Sequence, residues 1–269
     1  MSIRMPQVAG SFYPADPSEI RCFAEPLLKN PEPIAAAAKA VILPHAGYQY
    51  SGLTACETLQ RVNVPKDNVL LGPDHRGAGG DFSIFSHGEW RTPLGKSKIA
   101  EGLAQSLKKS CPAIEDDEWA HSHEHSLEVL VPLLELKNPA CEIVPILAGT
   151  LNVDLARETA KEMAACLVSL SPAPLIVISN DMSHYESNDA TRKKDPYALR
   201  AIENLDADAL IKAVRDHRIT MCGFIPVYMF LVMAQTFKIQ SSVLVDYRTS
   251  AEATGERDRV VGYAGFLFR

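Results

Sequence analysis

Residues 40–52, AVILPHAGYQYSG, run from aliphatic and β-branched side chains into Pro44 and then at once into His45, a glycine and two tyrosines. Four apolar residues stopped by a proline read as a short buried strand, and a histidine just beyond it reads as a group delivered to the strand's carboxyl end. The pattern recurs along the chain. AVILP, NVLLGP, CEIVPILAG, PLIVISN, SSVLVDY and VVGYAGFLF are all apolar runs punctuated by Pro, Gly or Asn. Between them, apolar residues fall at three- and four-residue multiples: Leu53, Cys56, Leu59 and Val62; Ile99, Leu103 and Leu107; Leu127, Leu130, Val131 and Leu134; Leu155, Met163 and Leu167. Strand and helix therefore alternate. That order predicts an α/β fold, a mainly parallel central sheet flanked by helices on both faces, as a single domain over residues 1–269, with DFSIFSHGEW as an added antiparallel excursion.

Composition narrows the class of function. The chain has 269 residues, 46% hydrophobic and 22% charged, enough apolar material for a large core and no signature of disorder. A net charge of -6 and scattered Lys and Arg give no basic field, which argues against nucleic acid and leaves a small-molecule or peptide ligand. Cys22, Cys56, Cys111, Cys141, Cys166 and Cys222 lie far apart without a CxxC pair, as expected of a protein in a reducing cytoplasm. The N-terminal MSIRMPQVAGSFYP carries Pro and Gly where an export signal needs an apolar run. Residues 219–237, ITMCGFIPVYMFLVMAQTF, lack charge, but Cys222, Gly223, Pro226 and Gln235 make them a buried helix and not a membrane span. Apart from the alanine tract at residues 35–38, there is no repeat or low-complexity segment.

In a parallel sheet the ligand site lies beyond the carboxyl ends of the strands. His45 follows AVIL, His75 follows NVLLGPD, and Asp181 and His184 follow LIVISN, so distant segments deliver polar groups to one edge. One such histidine usually caps or fills a core; several together suit a metal, for which imidazole is the common ligand. Cys222, in TMCG before the long apolar helix, is the third ligand candidate beside His45 and His75, since a helix dipole favours a thiolate. It reads equally as a small residue of a helix cap. Asp181 and His184, three apart, read either as an acid and base facing one cavity from a helical turn or tight loop, or as an N-cap with a surface histidine. In HSHEHSLE only His125 stands out as a candidate, and Gly77, Gly79 and Gly80 after His75 lack the lysine of a phosphate loop. There is no G-x-S-x-G and no HExxH.

The ordered motifs VAGSFYP, PHAGYQYSG, LGPDHRG, EHSLEVLVPLL, SNDMSHY, MCG and VGYAGFLF resemble those of the Memo family, called AmmeMemoRadiSam system protein B in prokaryotes. The resemblance implies a fold similar to that of the class III extradiol dioxygenases, which are non-haem iron enzymes. It implies that His45, His75 and Cys222 surround a metal, that Asp181 and His184 serve as acid and base, and that His125 lines the same cavity. It also implies radical-SAM system proteins as partners. Those dioxygenases close their site with a carboxylate where this sequence offers Cys222, and Asp74 stands where the family more often has Asn.

Two functions from different classes follow. In the first, a divalent metal, iron being favoured with copper or zinc as alternatives, is held by His45, His75 and Cys222, while His184 moves a proton and Asp181 orients it, in a redox or dioxygenase-like enzyme. In the second, the cleft, with Tyr48, Tyr50 and Tyr185 at its rim, binds a phosphorylated or aromatic peptide group without chemistry. That second reading calls for a basic pocket, and Arg76 and Arg192 are the only candidates near the motifs.

Overall fold

The apolar runs are strands in the computed structural model, which describes residues 2–29 and 38–269; positions 35–37 of the alanine tract lie outside the described residues. The strands are β1 (Ile3–Arg4), β2 (Ala40–Leu43), β3 (Asp67–Pro73), β4 (Phe82–Ile84), β5 (Glu89–Thr92), β6 (Gly95–Ile99), β7 (Ile114–Asp116), β8 (Glu142–Ala148), β9 (Leu175–Ser179), β10 (Asp181–Glu186), β11 (Ser242–Thr249) and β12 (Val260–Phe268). They form one sheet in the order β1-β5-β6-β8-β3-β9-β2-β12-β10, with β11 also on β12, and with β4 on β8 and β7.

The centre, β6-β8-β3-β9-β2, is parallel throughout. Ile146, Leu71, Ile178 and Ile42 stand in register across four of these strands, and all four are buried. Both faces of this centre are covered, so the runs are continuously apolar and do not alternate. In the excursion at residues 81–90, β4 runs antiparallel to β8 and β5 to β6 as expected, while β4 also runs parallel to β7 and β5 to β1.

The β12 side departs from the parallel expectation. β12 runs antiparallel to β11, to β2 through Phe266–Phe268, and to β10 through Val260–Tyr263. One long strand thus backs both β2 and β10, and the place where β2 ends and β10 begins becomes a junction. The segment around Asp181 and His184 is neither helical turn nor loop; it is β10, with register shifts on either side of His184. Polar side chains hide its strand character, which comes from pairing with β12.

Helices Pro17–Leu28, Leu53–Leu59 and Val131–Lys137 pack together over one face, and Glu101–Ser110, Val153–Leu167 and Phe224–Thr236 over the other. Phe224–Thr236 is apolar on every side because it lies between β3, β9 and the Val153–Leu167 helix. No helix among the described residues is long and apolar enough to cross a membrane. The N-terminal segment is tied down by a buried pair, Arg4 Nη2 to Glu128 Oε2 at 2.7 Å. The Glu128 carboxylate also accepts from the amides of Gln7 and Val8 and from the Tyr13 hydroxyl, so both of its buried oxygens are partnered.

Candidate metal centre

The carboxyl ends of β2, β3 and β9 open on one cavity of about 590 Å3. His45, His75, His125, Asp181, His184 and Cys222 line it, together with Phe12, Tyr50, Tyr185 and Tyr263. Convergence follows from the topology: His45 leaves β2, His75 leaves β3, and Asp181 starts β10 directly after β9. At the junction the amide of His45 donates to Asp181 Oδ1 at 2.8 Å.

Each ring is oriented by what holds its Nδ1. The Ser179 hydroxyl gives its proton to the Ser126 carbonyl at 2.6 Å, so its lone pairs accept the Nδ1–H of His45, also at 2.6 Å. His75 Nδ1 lies 2.9 Å from Glu124 Oε1, and His184 Nδ1 lies 2.9 Å from the Thr220 carbonyl oxygen. Neither oxygen can donate, so each Nδ1 carries a proton and, in the neutral ring, each Nε2 keeps a lone pair. One ligand nitrogen each from His45, His75 and His125 lies within 4.8 Å of the others. The His75 and His125 rings stack at 4.8 Å and 21°, and His125 rests on Phe12 at 4.6 Å.

The electrostatics keep His45 and His125 neutral and favour the proton on His75. Burial, reinforced by neighbouring His75 and His125, holds His45 well below the ordinary imidazole range. Burial lowers His125 too. At His75 burial works the same way, but the bond to Glu124 and its charge outweigh it and raise the ring. Burial opposes the charge of Glu124, yet the bonds and charge of His75 bring it down to about 2. Asp181 is pushed up to about 6 by burial, against the pull of His184 and the amides of His45 and Ala46. A carboxyl that takes up its proton well above the usual carboxylate range, yet is ionised at neutrality, therefore lies beside the cluster, its Oδ2 4.0 Å from His45 Nε2.

Cys222 Sγ is 3.3 Å from His45 Nε2 and accepts from the Asp181 amide at 3.4 Å. It precedes Gly223, the N-cap of the Phe224–Thr236 helix, where a Cβ would sit 2.4 Å from the Ser179 carbonyl oxygen. Only glycine allows that approach, which brings the thiol to His45. In the metal-free chain, burial and then the Asp181 charge push the thiol well above its ordinary value, outweighing the helix-dipole effect expected from sequence.

The structure thus brings together eight of the nine residues singled out from the sequence, with His125 joining His45 and His75 in the tight nitrogen cluster and Cys222 at its edge. Tyr48 is placed elsewhere: it is buried against Tyr13 and Phe23, and its hydroxyl donates to the Val129 carbonyl at 3.0 Å. Neither arginine supplies a basic pocket. Arg192 pairs with Glu252, and Arg76 lines a separate outer hollow with Trp119 and His123. Asp74 accepts from the amides of Arg76, Gly77 and Gly79, so the glycine-rich loop is a carboxylate-capped turn. Glu124, Ser179 and Thr220, which orient the rings, escaped the sequence reading; the acid inside EHS and the serine closing LIVIS were the only signals.

Comparison with known proteins gives the chain's relatives. The family profile described as Memo-like protein matches residues 4–267. A MEMO1 family protein of Aquifex aeolicus is 37% identical over 269 residues, covering 100% of both chains. A MEMO1 family protein of Methanopyrus kandleri is 34% identical over 279 residues, covering 99% of each. Among solved structures, an uncharacterized protein from Escherichia coli K12 superposes with a TM-score of 0.50 at 12% identity, covering 85% of this chain and 98% of that one, a likeness of fold alone.

Proposed function

The chain belongs to the Memo family, and on that footing we propose that it holds one divalent metal ion at the carboxyl end of its sheet and acts there as a redox enzyme on a small ligand. The observation that carries this reading is the cluster of His45, His75 and His125, whose ligand nitrogens lie within 4.8 Å of one another. Fixed Nδ1 protons on His45 and His75 leave Nε2 lone pairs free, as ligation requires. Cys222 completes the donor set from beside His45. Imidazole with one thiolate suits a first-row transition ion, iron in the first instance and copper or zinc as alternatives. Bound there, the ion would supply Lewis-acid and electron-transfer chemistry to an oxygen-bearing ligand.

The remaining groups act on the ligand. Phe12, Tyr50, Tyr185 and Tyr263 give the cavity apolar walls, and its volume is that of a small-molecule site. Asp181, its carboxyl pushed up to about 6, can take up and return a proton, and His184 accepts or returns one at Nε2 while Thr220 keeps its ring in place. A phosphopeptide module is not favoured, because no Lys or Arg among the described residues lines the cavity.

Titration of anaerobic protein with Fe(II), followed by calorimetry, tests the proposal. Wild type should bind one ion per chain, and His45→Gln and His75→Gln should abolish that binding. Failure of iron, copper and zinc alike to bind wild type above background overturns it.

A further inference from the structure

Glu124 reaches both His75 and His125, two of the proposed ligands, and nothing in the sequence reading gave it a role. We propose that Glu124 is the positioning residue of the centre: one carboxylate locks His75 and His125 together as a pair of donors. This rests on the metal-binding reading above.

The geometry is specific. Oε2 accepts from the His75 amide at 2.6 Å, and Oε1 accepts from His75 Nδ1 at 2.9 Å. Backbone and ring of one residue are thus clamped by the two oxygens of one carboxylate. Oε1 also accepts from the amides of His125 at 2.8 Å and Ser126 at 2.7 Å, and it lies 3.3 Å from His125 Nδ1. His75 follows β3 and His125 lies fifty residues on in sequence, so the carboxylate ties two chain segments at the level of their stacked rings.

Its charge is reserved for these rings. The side chain is buried, and Arg4 gives its guanidinium to the Glu124 carbonyl oxygen and to the Glu128 carboxylate. No Lys or Arg neutralises the Glu124 carboxylate among the described ion pairs. A carboxylate on Nδ1–H makes the opposite nitrogen a stronger donor and fixes its direction. Oε1 exerts that effect on His75 and holds His125 through its amide, whereas Ser179 serves His45 alone.

The experiment reads tautomers first and metal second. In metal-free wild type, at a pH where the imidazoles are neutral, nitrogen-15 correlation spectra should show His75 protonated at Nδ1; an Nε2–H tautomer there overturns the proposal without any variant. Glu124→Gln should give His75 a tautomer mixture and leave His45, held by Ser179, at Nδ1–H. The same variant should bind Co(II) between about 10- and 100-fold more weakly than wild type, with a shifted visible Co(II) spectrum. Unchanged tautomer, affinity and spectrum in Glu124→Gln overturn the proposal. Wild type that takes up no Co(II), yet shows the tautomer response, overturns the metal reading and upholds Glu124 as the residue that positions the two histidines.

Discussion

Ser179→Ala isolates the support of a single ring. The Ser179 hydroxyl is fully buried, accepts from His45 Nδ1–H and donates to the Ser126 carbonyl, each at 2.6 Å. Alanine keeps the backbone and strands two buried polar groups at once. At about 1–3 kcal/mol for each unsatisfied group, partly relieved by relaxation, the loss is about 3 kcal/mol. In a chain of this size that lowers Tm by roughly 6 to 12 °C. His45 also loses its tautomer lock, so metal affinity should fall by about 10- to 100-fold. Ser183→Ala is the control: Ser183 is just as buried and donates to Asp195 Oδ1 at 2.5 Å, but touches no histidine. Thermal unfolding of metal-free protein and calorimetric metal titration of both variants give the comparison. If Ser179→Ala loses stability as Ser183→Ala does and binds metal as wild type does, the hydroxyl is only a packing group and the tautomer argument is wrong.

Cys222→Ser keeps the size of the side chain and removes the soft donor, so it should weaken metal binding far more than Cys166→Ser; equal effects in calorimetry would remove Cys222 from the donor set. His184→Gln should leave metal affinity within about a few fold, since no ligand is lost, while flattening the pH dependence of air oxidation of the bound iron; a loss of metal as complete as in His45→Gln would make His184 a ligand. Burial holds His121 down at about 3, with the Arg4 charge adding to the effect. Its folded value lies below the unfolded one, so the stability it contributes is full above about pH 6.5 and is lost as pH falls toward 3, about 2 kcal/mol of it by pH 5. His121→Gln should flatten the acid limb of a denaturation series, and an unchanged limb would show that the ring does not titrate as its burial implies.

Much of the fold is legible in the sequence for a physical reason. A strand covered on both faces needs no polar alternation, so AVIL, NVLLGP, EIVPILA and LIVIS stand out as continuous runs closed by Pro or a polar residue, and their order implies the parallel centre. His45 and His75 are then legible as carboxyl-end groups. What hides is whatever depends on a partner distant in sequence. β10 carries Asp181, Ser183 and His184, and only β12 makes it a strand. Glu124 reads as one more polar residue in HSHEHSLE until His75 is brought to it from β3. Tyr48 and Tyr50 look alike in PHAGYQYSG, but the helical turn at Tyr48–Gly52 sends the first into the core and the second to the cavity. The buried Arg4–Glu128 pair joins positions 124 apart and leaves no local trace.

The most direct measurement is anomalous X-ray diffraction at the iron edge from crystals of anaerobically loaded protein. The prediction is a single peak bonded to His45 Nε2 and His75 Nε2, with His125 and Cys222 in its coordination sphere. Iron found in the crystal with no peak in reach of His45 and His75 would contradict the account.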